Sequence, residues 1–311
     1  RLAIPARHWD YIGDSWVGKA KNLYGRIDFS YNGEGPAKLL EYNADTPTSL
    51  YESAAFQWVW LEQAMEREII PPGCDQFNSI HETMVEAFRN FNIPGPLHLT
   101  SCPGVNEDEG TVRYIEECAA QAGLTTSFIY LEEIGIDDAG RLTDLDDMTI
   151  TTLFKLYPWE WVMRDEFGLV LPDSGTKVIE PPWRAILSNK GLLPLLWEMF
   201  EGHPNLLPAY FADDPRASAI EGGHVRKPLL SREGGNVEMV RPGEPPLTVD
   251  GPYGAEGFIV QALHPLPVFE GNHTVIGSWL IASQPSGIGI REDDSPITKD
   301  SSRFLPHVIR D

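Results

Sequence analysis

The chain has 311 residues, 46 acidic against 24 basic, for a formal charge of −22. Apolar residues at 42% and charged residues at 23% are ordinary globular usage, which excludes a disordered chain, and the length suits two domains or one elaborate one. Such acidity excludes a general nucleic-acid binder, which needs a basic footprint, and the longest apolar runs fall short of a bilayer.

The charge would suit a cationic substrate, although acidic surfaces commonly serve solubility alone. Cys74, Cys102 and Cys118 have no close spacing and read as reduced thiols of a cytoplasmic protein. The sequence opens at Arg1 with neither Met nor a signal peptide, which reads as the start of a fragment.

In chain order, two strands are expected first, over 24–31 and 37–44, flanking the turn Asn32-Gly33-Glu34-Gly35-Pro36. A helix follows from Thr48 or Ser49, with Leu50, Ala54, Phe56, Trp58, Leu61 and Met65 as its core-facing stripe. Then come a strand at 97–101, a helix at 108–122 ended by Gly123, and a strand at 126–131: one βαβ unit and a parallel sheet. Beyond Pro181 the pattern predicts a helix over 189–201 and strands near Phe211 and over 225–230, 236–240, 257–263, 274–282 and 287–291. The last pair is expected to turn at Gln284-Pro285-Ser286-Gly287. Antiparallel strands after a βαβ segment imply an α+β construction with at least two lobes.

The first hairpin carries the most chemistry. Side chains alternate along a strand, so Arg26 and Asp28 share a face, as do Glu41 and Asn43. A pairing centred between Glu34 and Gly35 sets Asp28 opposite Glu41 and Arg26 opposite Asn43. Two directly opposed carboxylates cost roughly 0.2–1 kcal/mol unless something positive joins them. A hard cation such as Mg²⁺, held by Asp28, Glu41 and the Asn43 amide oxygen, would resolve the conflict; a solvated acidic face neutralised by Arg26 is the plain alternative.

Lys190 falls at a helix start, where a cation opposes the helix dipole, and Lys227 is held extended by Pro228. Ser231-Arg232-Glu233-Gly234-Gly235-Asn236 makes a small loop whose N–H groups could approach phosphate. It is no Walker motif, and no GxGxxG, HExxH or GxSxG occurs in the chain. Glu107-Asp108 opens the helix of the βαβ unit, where helix-dipole complementarity explains acids as well as a site does. Arg291 ends a late strand and is followed by Glu292, Asp293 and Asp294, which could orient it.

The stretches RIDF…KLLEYNADTPTSLYESAAFQWVWLE, LFKLYPWEW, LSNKGLLPLLWEMFEGHPNLLPAYF, VRKPLLSREGGNV and GPYGAEGFIVQALHPLP…IGSWL…GIGIRED together resemble the glutathionylspermidine synthase family. The likeness runs in order over nearly the whole chain and is closest to that family's single-function acid–amine ligase branch. It implies an ATP-grasp two-lobed nucleotide clamp with an inserted α/β, preATP-grasp-like βαβ domain. It also implies ATP and Mg²⁺ as cofactors, and small-molecule acid and amine substrates joined through an acyl phosphate.

By that resemblance Asp28, Glu41 and Asn43 are the metal ligands, and Arg26 and Arg291 meet the transferring phosphoryl group. Lys190, Lys227, the loop Ser231, Arg232, Gly234, Gly235 and Asn236, the adenine strand Gln261, Ala262 and Leu263, and Ile297 bind nucleotide. Thr46, Thr48, Ser49, Glu107 and Asp108 face the acid and amine. The segments implied are 1–75 for the metal hairpin and helix, 76–180 for the inserted domain, and 181–240 and 241–311 for the two nucleotide lobes.

Three departures stand out. Thr46 and Thr48 replace serine after EYNAD, Ser302-Arg303 occupies the place of an acid that helps hold spermidine, and no stretch resembles the family's amidase domain, so hydrolysis of the product is not expected. Glutathione and spermidine themselves are therefore not assigned as substrates, and the resemblance leaves a glutathione-like peptide as the acid and a polyamine or amino acid as the amine. A non-catalytic acidic module that binds polyamine or metal, and a metal-dependent phosphohydrolase using Asp28 and Glu41, are the rival readings.

Overall fold

The structure, a computed structural model, describes residues 1–299 and 301–310. Helix α1 (Trp9–Val17) leads into strand β1 (Tyr24–Ser30), which the expected glycine-bearing turn joins to β2 (Lys38–Asn43). The register is the one the alternation requires, with Asp28 opposite Glu41 and Arg26 opposite Asn43, before a bulge between Asp28 and Phe29 shifts it.

The helix after β2 departs from expectation. Residues Glu52–Phe56 form a π-helical turn ahead of α2 (Gln57–Glu66). The wider turn rotates the following face, so Leu50, Ala54 and Leu61 are buried as expected while Phe56 and Trp58 are 53% and 40% exposed. Gln57 and Ala64 take the inward places instead, and Met65 is half-buried.

Helix α3 (Ile80–Phe91) ends on Asn92 in the left-handed conformation. Strand β3 (Leu97–Ser101), helix α4 (Asn106–Gln121) and strand β4 (Thr126–Tyr130) then form the expected βαβ unit. With β5 (Thr152–Lys155) and β6 (Lys177–Ile179) they make a parallel sheet in the order β4-β3-β5-β6. Buried apolar side chains between this sheet, α3 and α4 include Leu97, Leu99, Met84, Phe88, Val112 and Ile115, and they pack continuously with Tyr24 and Trp279.

The rest is antiparallel. Helix α5 (Leu192–Met199) is shorter at both ends than the expected 189–201, and a separate turn of helix at Arg184–Leu187 precedes it. Strands β7 (Ala209–Phe211), β8 (His224–Pro228), β9 (Glu238–Val240), β10 (Leu247–Thr248) and β11 (Phe258–Ala262) form a sheet in the order β10-β9-β8-β11-β7. Strands β12 (Val268–Phe269), β13 (Asn272–Ile281), β14 (Gln284–Asp293) and β15 (Arg303–Leu305) extend the first hairpin into a sheet ordered β15-β14-β13-β1-β2, with β12 beside β13. Segment 241–311 thus contributes strands to both antiparallel sheets.

The β13–β14 turn lies at Ala282-Ser283, not at Gln284–Gly287. Both residues hold positive φ, 46° and 68°, the backbone of a tight hairpin turn. Pro285 is already in β14, where a register shift near Leu280 accommodates it.

Candidate active site

Arg26 and Asp28, both buried, project from one face of β1. The guanidinium grips the carboxylate with two bonds, Nε to Oδ1 at 2.7 Å and Nη2 to Oδ2 at 3.1 Å. Room for Arg26 comes from the neighbouring strand: a methyl group on Gly277 would lie 2.6 Å from Arg26 Cδ. From β14, Arg291 Nη2 reaches Asp28 Oδ2 at 2.7 Å. Two arginines, 265 positions apart in the chain, therefore share one carboxylate.

The expected steering of Arg291 by its three following acids is not found. Glu292 and Asp294 bind Arg303, at 3.1 and 2.9 Å, and Asp293 accepts from Ser302 Oγ at 2.7 Å. Strand alternation turns Glu292 and Asp294 away from the face that holds Arg291.

On β2, Asn43 Nδ2 bridges Asp28 Oδ2 at 3.1 Å and Glu41 Oε1 at 3.2 Å. Lys190 approaches Glu41 Oε2 at 3.1 Å and donates to the Ser231 carbonyl at 2.8 Å. Lys227 Nζ donates to the Leu40 carbonyl at 2.9 Å and to Gln261 Oε1 at 2.8 Å. Burial alone would raise the Glu41 carboxyl, but Lys190 and Lys227 overcome it and hold the group well below the usual carboxylate range. Burial also brings the Lys227 ammonium down to about 8. The opposed carboxylates thus meet cations from three other elements, which removes the conflict seen in the hairpin alone.

These side chains line one cleft. It also receives Thr46, Thr48, Ser49, Glu107, Ser231, Arg232, Gly234, Gln261, Ala262 and Ile297. Its far end is apolar, built from Val225, Val237, Met239 and Ile297. The loop Ser231–Asn236 presses on the opposite wall, since a methyl group on Gly234 would lie 2.7 Å from the Thr298 carbonyl oxygen.

Four expected residues do not line the cleft. Gly235 and Asn236 form the base of the loop, where Asn236 Oδ1 accepts from the Tyr253 N–H at 2.7 Å. The Leu263 N–H is taken by the Gly223 carbonyl at 3.0 Å. Asp108 stands behind Glu107, its carboxyl pushed up by burial against the pull of Arg232. Gln261 reaches the cleft, but its amide, which donates to the Leu39 carbonyl at 3.0 Å, serves to hold Lys227 against β2.

Other cleft and supporting residues carried no sequence signal of their own. Lys299 and His264 line the cleft. Asp45, 1% exposed, accepts from Lys155 Nζ at 2.8 Å and from the Trp159 N–H at 2.6 Å, tying the end of the first hairpin to β5. Asp45 and Trp159 stood inside the EYNAD and YPWEW stretches, so the motifs marked the place without the partnership.

Among the described residues no three or more His, Cys, Asp or Glu side chains gather as a metal site. The trio here is two carboxylates and an amide whose oxygen would face the pair after a flip, oxygen donors of the kind a hard cation takes.

The cleft sets paired arginines and lysines around an oxygen-donor face, between a parallel αβ unit and antiparallel sheets, and the relatives that share this sequence are named ligases. The family profile described as glutathionylspermidine synthase preATP-grasp matches residues 1–310, and the chain belongs to that family. A protein of Haemophilus influenzae, provisionally named an acid–amine ligase, is 39% identical across 96% of this chain and 77% of its own length. The trypanothione synthetase of Crithidia fasciculata is 27% identical across 99% of this chain and 50% of its own. The bifunctional glutathionylspermidine synthetase/amidase of Escherichia coli is 26% identical across 98% and 52%. The chain therefore spans about three quarters of the first relative and about half of the other two. A solved glutathione synthetase-like effector of Globodera pallida shares the fold, with a TM-score of 0.59 at 11% identity over 97% of this chain and 83% of its own. Among the described residues no helix is long and apolar enough to cross a membrane.

Proposed function

We propose that the protein is an ATP-dependent carboxylate–amine ligase acting through an acyl phosphate and releasing ADP and phosphate. The convergence of Arg26 and Arg291 on Asp28, beside Lys190 on Glu41, is the observation that carries this reading. A substrate carboxylate oxygen attacks the γ-phosphorus of ATP and ADP leaves. The amine nitrogen then attacks the acyl carbon, phosphate departs with the bonding pair, and the nitrogen gives up a proton.

In this reading Asp28, Glu41 and Asn43 hold Mg²⁺, which when bound screens the phosphate charge. Arg26 and Arg291 offer planar donor forks to oxygens that gain charge during transfer. Lys190 and Lys227 meet the phosphates, and adenine lies among Val225, Val237, Met239 and Ile297. The loop Ser231–Asn236 covers the phosphates and keeps water from the acyl phosphate. Thr46, Thr48, Ser49 and Glu107 face the acid and amine. The sheet that carries Lys227 and the sheet that carries Arg291 act as the two lobes of an ATP-grasp clamp, with 76–180 inserted between the hairpin and the first of them.

The test is ADP release with pooled small acids and peptides against pooled amines. The ligase reading requires both pools together. ADP released with neither would favour a phosphohydrolase, and polyamine binding with no turnover under any pairing would favour a binding module.

A further inference from the structure

Glu180 and Arg184 are buried, and neither lines the cleft. Glu180 follows β6, and Arg184 opens the turn of helix Arg184–Leu187 on the way to Lys190. Both direct their bonds to the first hairpin. Glu180 Oε1 accepts from the N–H groups of Leu23 and Tyr24, at 2.8 and 2.9 Å. Arg184 donates from Nε to the Ala44 carbonyl at 2.5 Å, from Nη1 to the Tyr42 hydroxyl at 2.8 Å, and from Nη2 to the Tyr24 carbonyl. Its Nε also lies 3.2 Å from Glu180 Oε2, so the acid steadies the base that holds the hairpin.

These contacts fall at the open end of the β1–β2 pair, where regular pairing stops with Arg26 opposite Asn43. Tyr24 and Ala44 lie beyond it and are fully buried. Without Glu180 and Arg184 their backbone groups would lose these partners, and an unmet buried polar group is costly. Tyr42 alternates with Glu41 and Asn43 along the strand, so Arg184 reaches the hairpin from behind the cleft. Gly25 makes room for it: a methyl group there would lie 2.5 Å from Arg184 Nη2 and 2.9 Å from Tyr42 Cε2. From the same segment, Lys190 meets Glu41 on the cleft side. A buried ion pair adds little net stability, because desolvation offsets its attraction, and fixing a register is its better-attested use.

We propose that Arg184, braced by Glu180, is a positioning residue. It locks the open end of the hairpin from behind, so that Asp28, Glu41 and Asn43 stand where one cation bridges them. The proposal rests on the ligase reading for the metal and the reaction. Arg184 acts through Tyr24, Tyr42 and Ala44, whose three oxygens are met by one planar guanidinium. An ammonium, a single point of charge, does not span them.

The test compares the wild type with Arg184→Lys, which keeps the charge beside Glu180 and loses the fork, and with Gly25→Ala, which keeps both side chains and takes Arg184's space. Thermal unfolding, hydrogen–deuterium exchange over residues 38–45, and Mg²⁺ binding by calorimetry with ADP present are measured on each whole protein. Both variants are expected to unfold cooperatively while segment 38–45 exchanges roughly tenfold faster or more, through local opening. Mg²⁺ affinity should weaken roughly 10–100-fold, the usual loss when a group that orients metal ligands is removed. Turnover should fall at ordinary Mg²⁺ and recover as Mg²⁺ is raised, which general damage to the fold would not allow. Wild-type exchange and Mg²⁺ affinity in either variant overturns the proposal. So does lost turnover that excess Mg²⁺ leaves untouched. Disappearance of the cooperative transition in both variants overturns it too, since Arg184 would then support the fold at large; if only one fails to fold, the other decides. ADP release by the wild type with pooled acids and amines judges the ligase reading separately. Faster exchange and weaker Mg²⁺ binding in the variants, with no wild-type turnover under any pairing, would sink that reading and leave the brace standing.

Discussion

Gly277 explains why Arg26 can lie flat against β13, because any side chain there would occupy the space of the arginine's own Cδ. Arg26 is fixed at both ends of Asp28 and has little room to retreat, so Gly277→Ala should displace it. Turnover is expected to fall on the order of 10²-fold, the usual loss when one transition-state donor is misplaced, with circular dichroism unchanged. Arg26→Lys and Arg291→Lys should each lose on the order of 10²–10³ in rate with far less effect on ATP affinity, because an ammonium has no fork. Wild-type turnover in both would show that these arginines serve only as an ion pair with Asp28. Glu41→Gln keeps volume and removes charge, so activity at ordinary Mg²⁺ should vanish while the fold persists. Lys227 gives a pH signature. Burial has brought its ammonium down to about 8, so the free enzyme loses that charge as pH rises through about 8. Affinity for a non-hydrolysable ATP analogue, measured from pH 6.5 to 9.5, should decline above that point. The stability effect has its own direction: keeping this lysine charged is a burden to the fold below about 8, and the burden lifts as pH climbs toward the ordinary lysine value near 10.4.

At the scale of elements, the first hairpin was legible because a strand has a fixed period and its turn residues are strong, which placed Asp28 against Glu41 before any coordinates. The helix that follows was legible only up to its π turn. One wide turn carries no compositional mark, yet it swung Phe56 and Trp58 outward. The β13–β14 turn was missed for the opposite reason: Gln284-Pro285-Ser286-Gly287 has turn chemistry, whereas Ala282-Ser283, which makes the turn, has almost none. Nor could spacing reveal that Asp45 meets Lys155 across 110 positions. That pair is 1% and 3% exposed at the side chains, so breaking one partner strands a buried charge. Asp45→Asn should cost about 3–5 kcal/mol in chemical denaturation, whereas Asp45→Asn with Lys155→Met together should cost distinctly less. Additive losses in the double variant would mean the two side chains act separately.

Across the whole molecule, β1 sits between β2, which follows it closely, and β13, whose residues are about 250 positions away. Tyr24 of β1 packs against Trp279 of β13, with ring centroids 6.4 Å apart, and both are fully buried. A chain ending at residue 270 should therefore lack a cooperative thermal transition as well as activity, because the central strand of the sheet would lose one neighbour and Tyr24 its stacking partner. A sharp transition near that of the full chain would show that the hairpin and the inserted domain hold together alone. The same arrangement has a temporal side. A ribosome lays down residues in order, at about 5–20 per second, so on the order of ten seconds or more separates the synthesis of Arg26 from that of Arg291. Until then Asp28 has only one of its two arginines, and the nascent chain has no competent site to expose. The hairpin that carries Arg26 and Asp28 is made long before the strand that carries Arg291, so the order of synthesis sets the order in which this site is assembled.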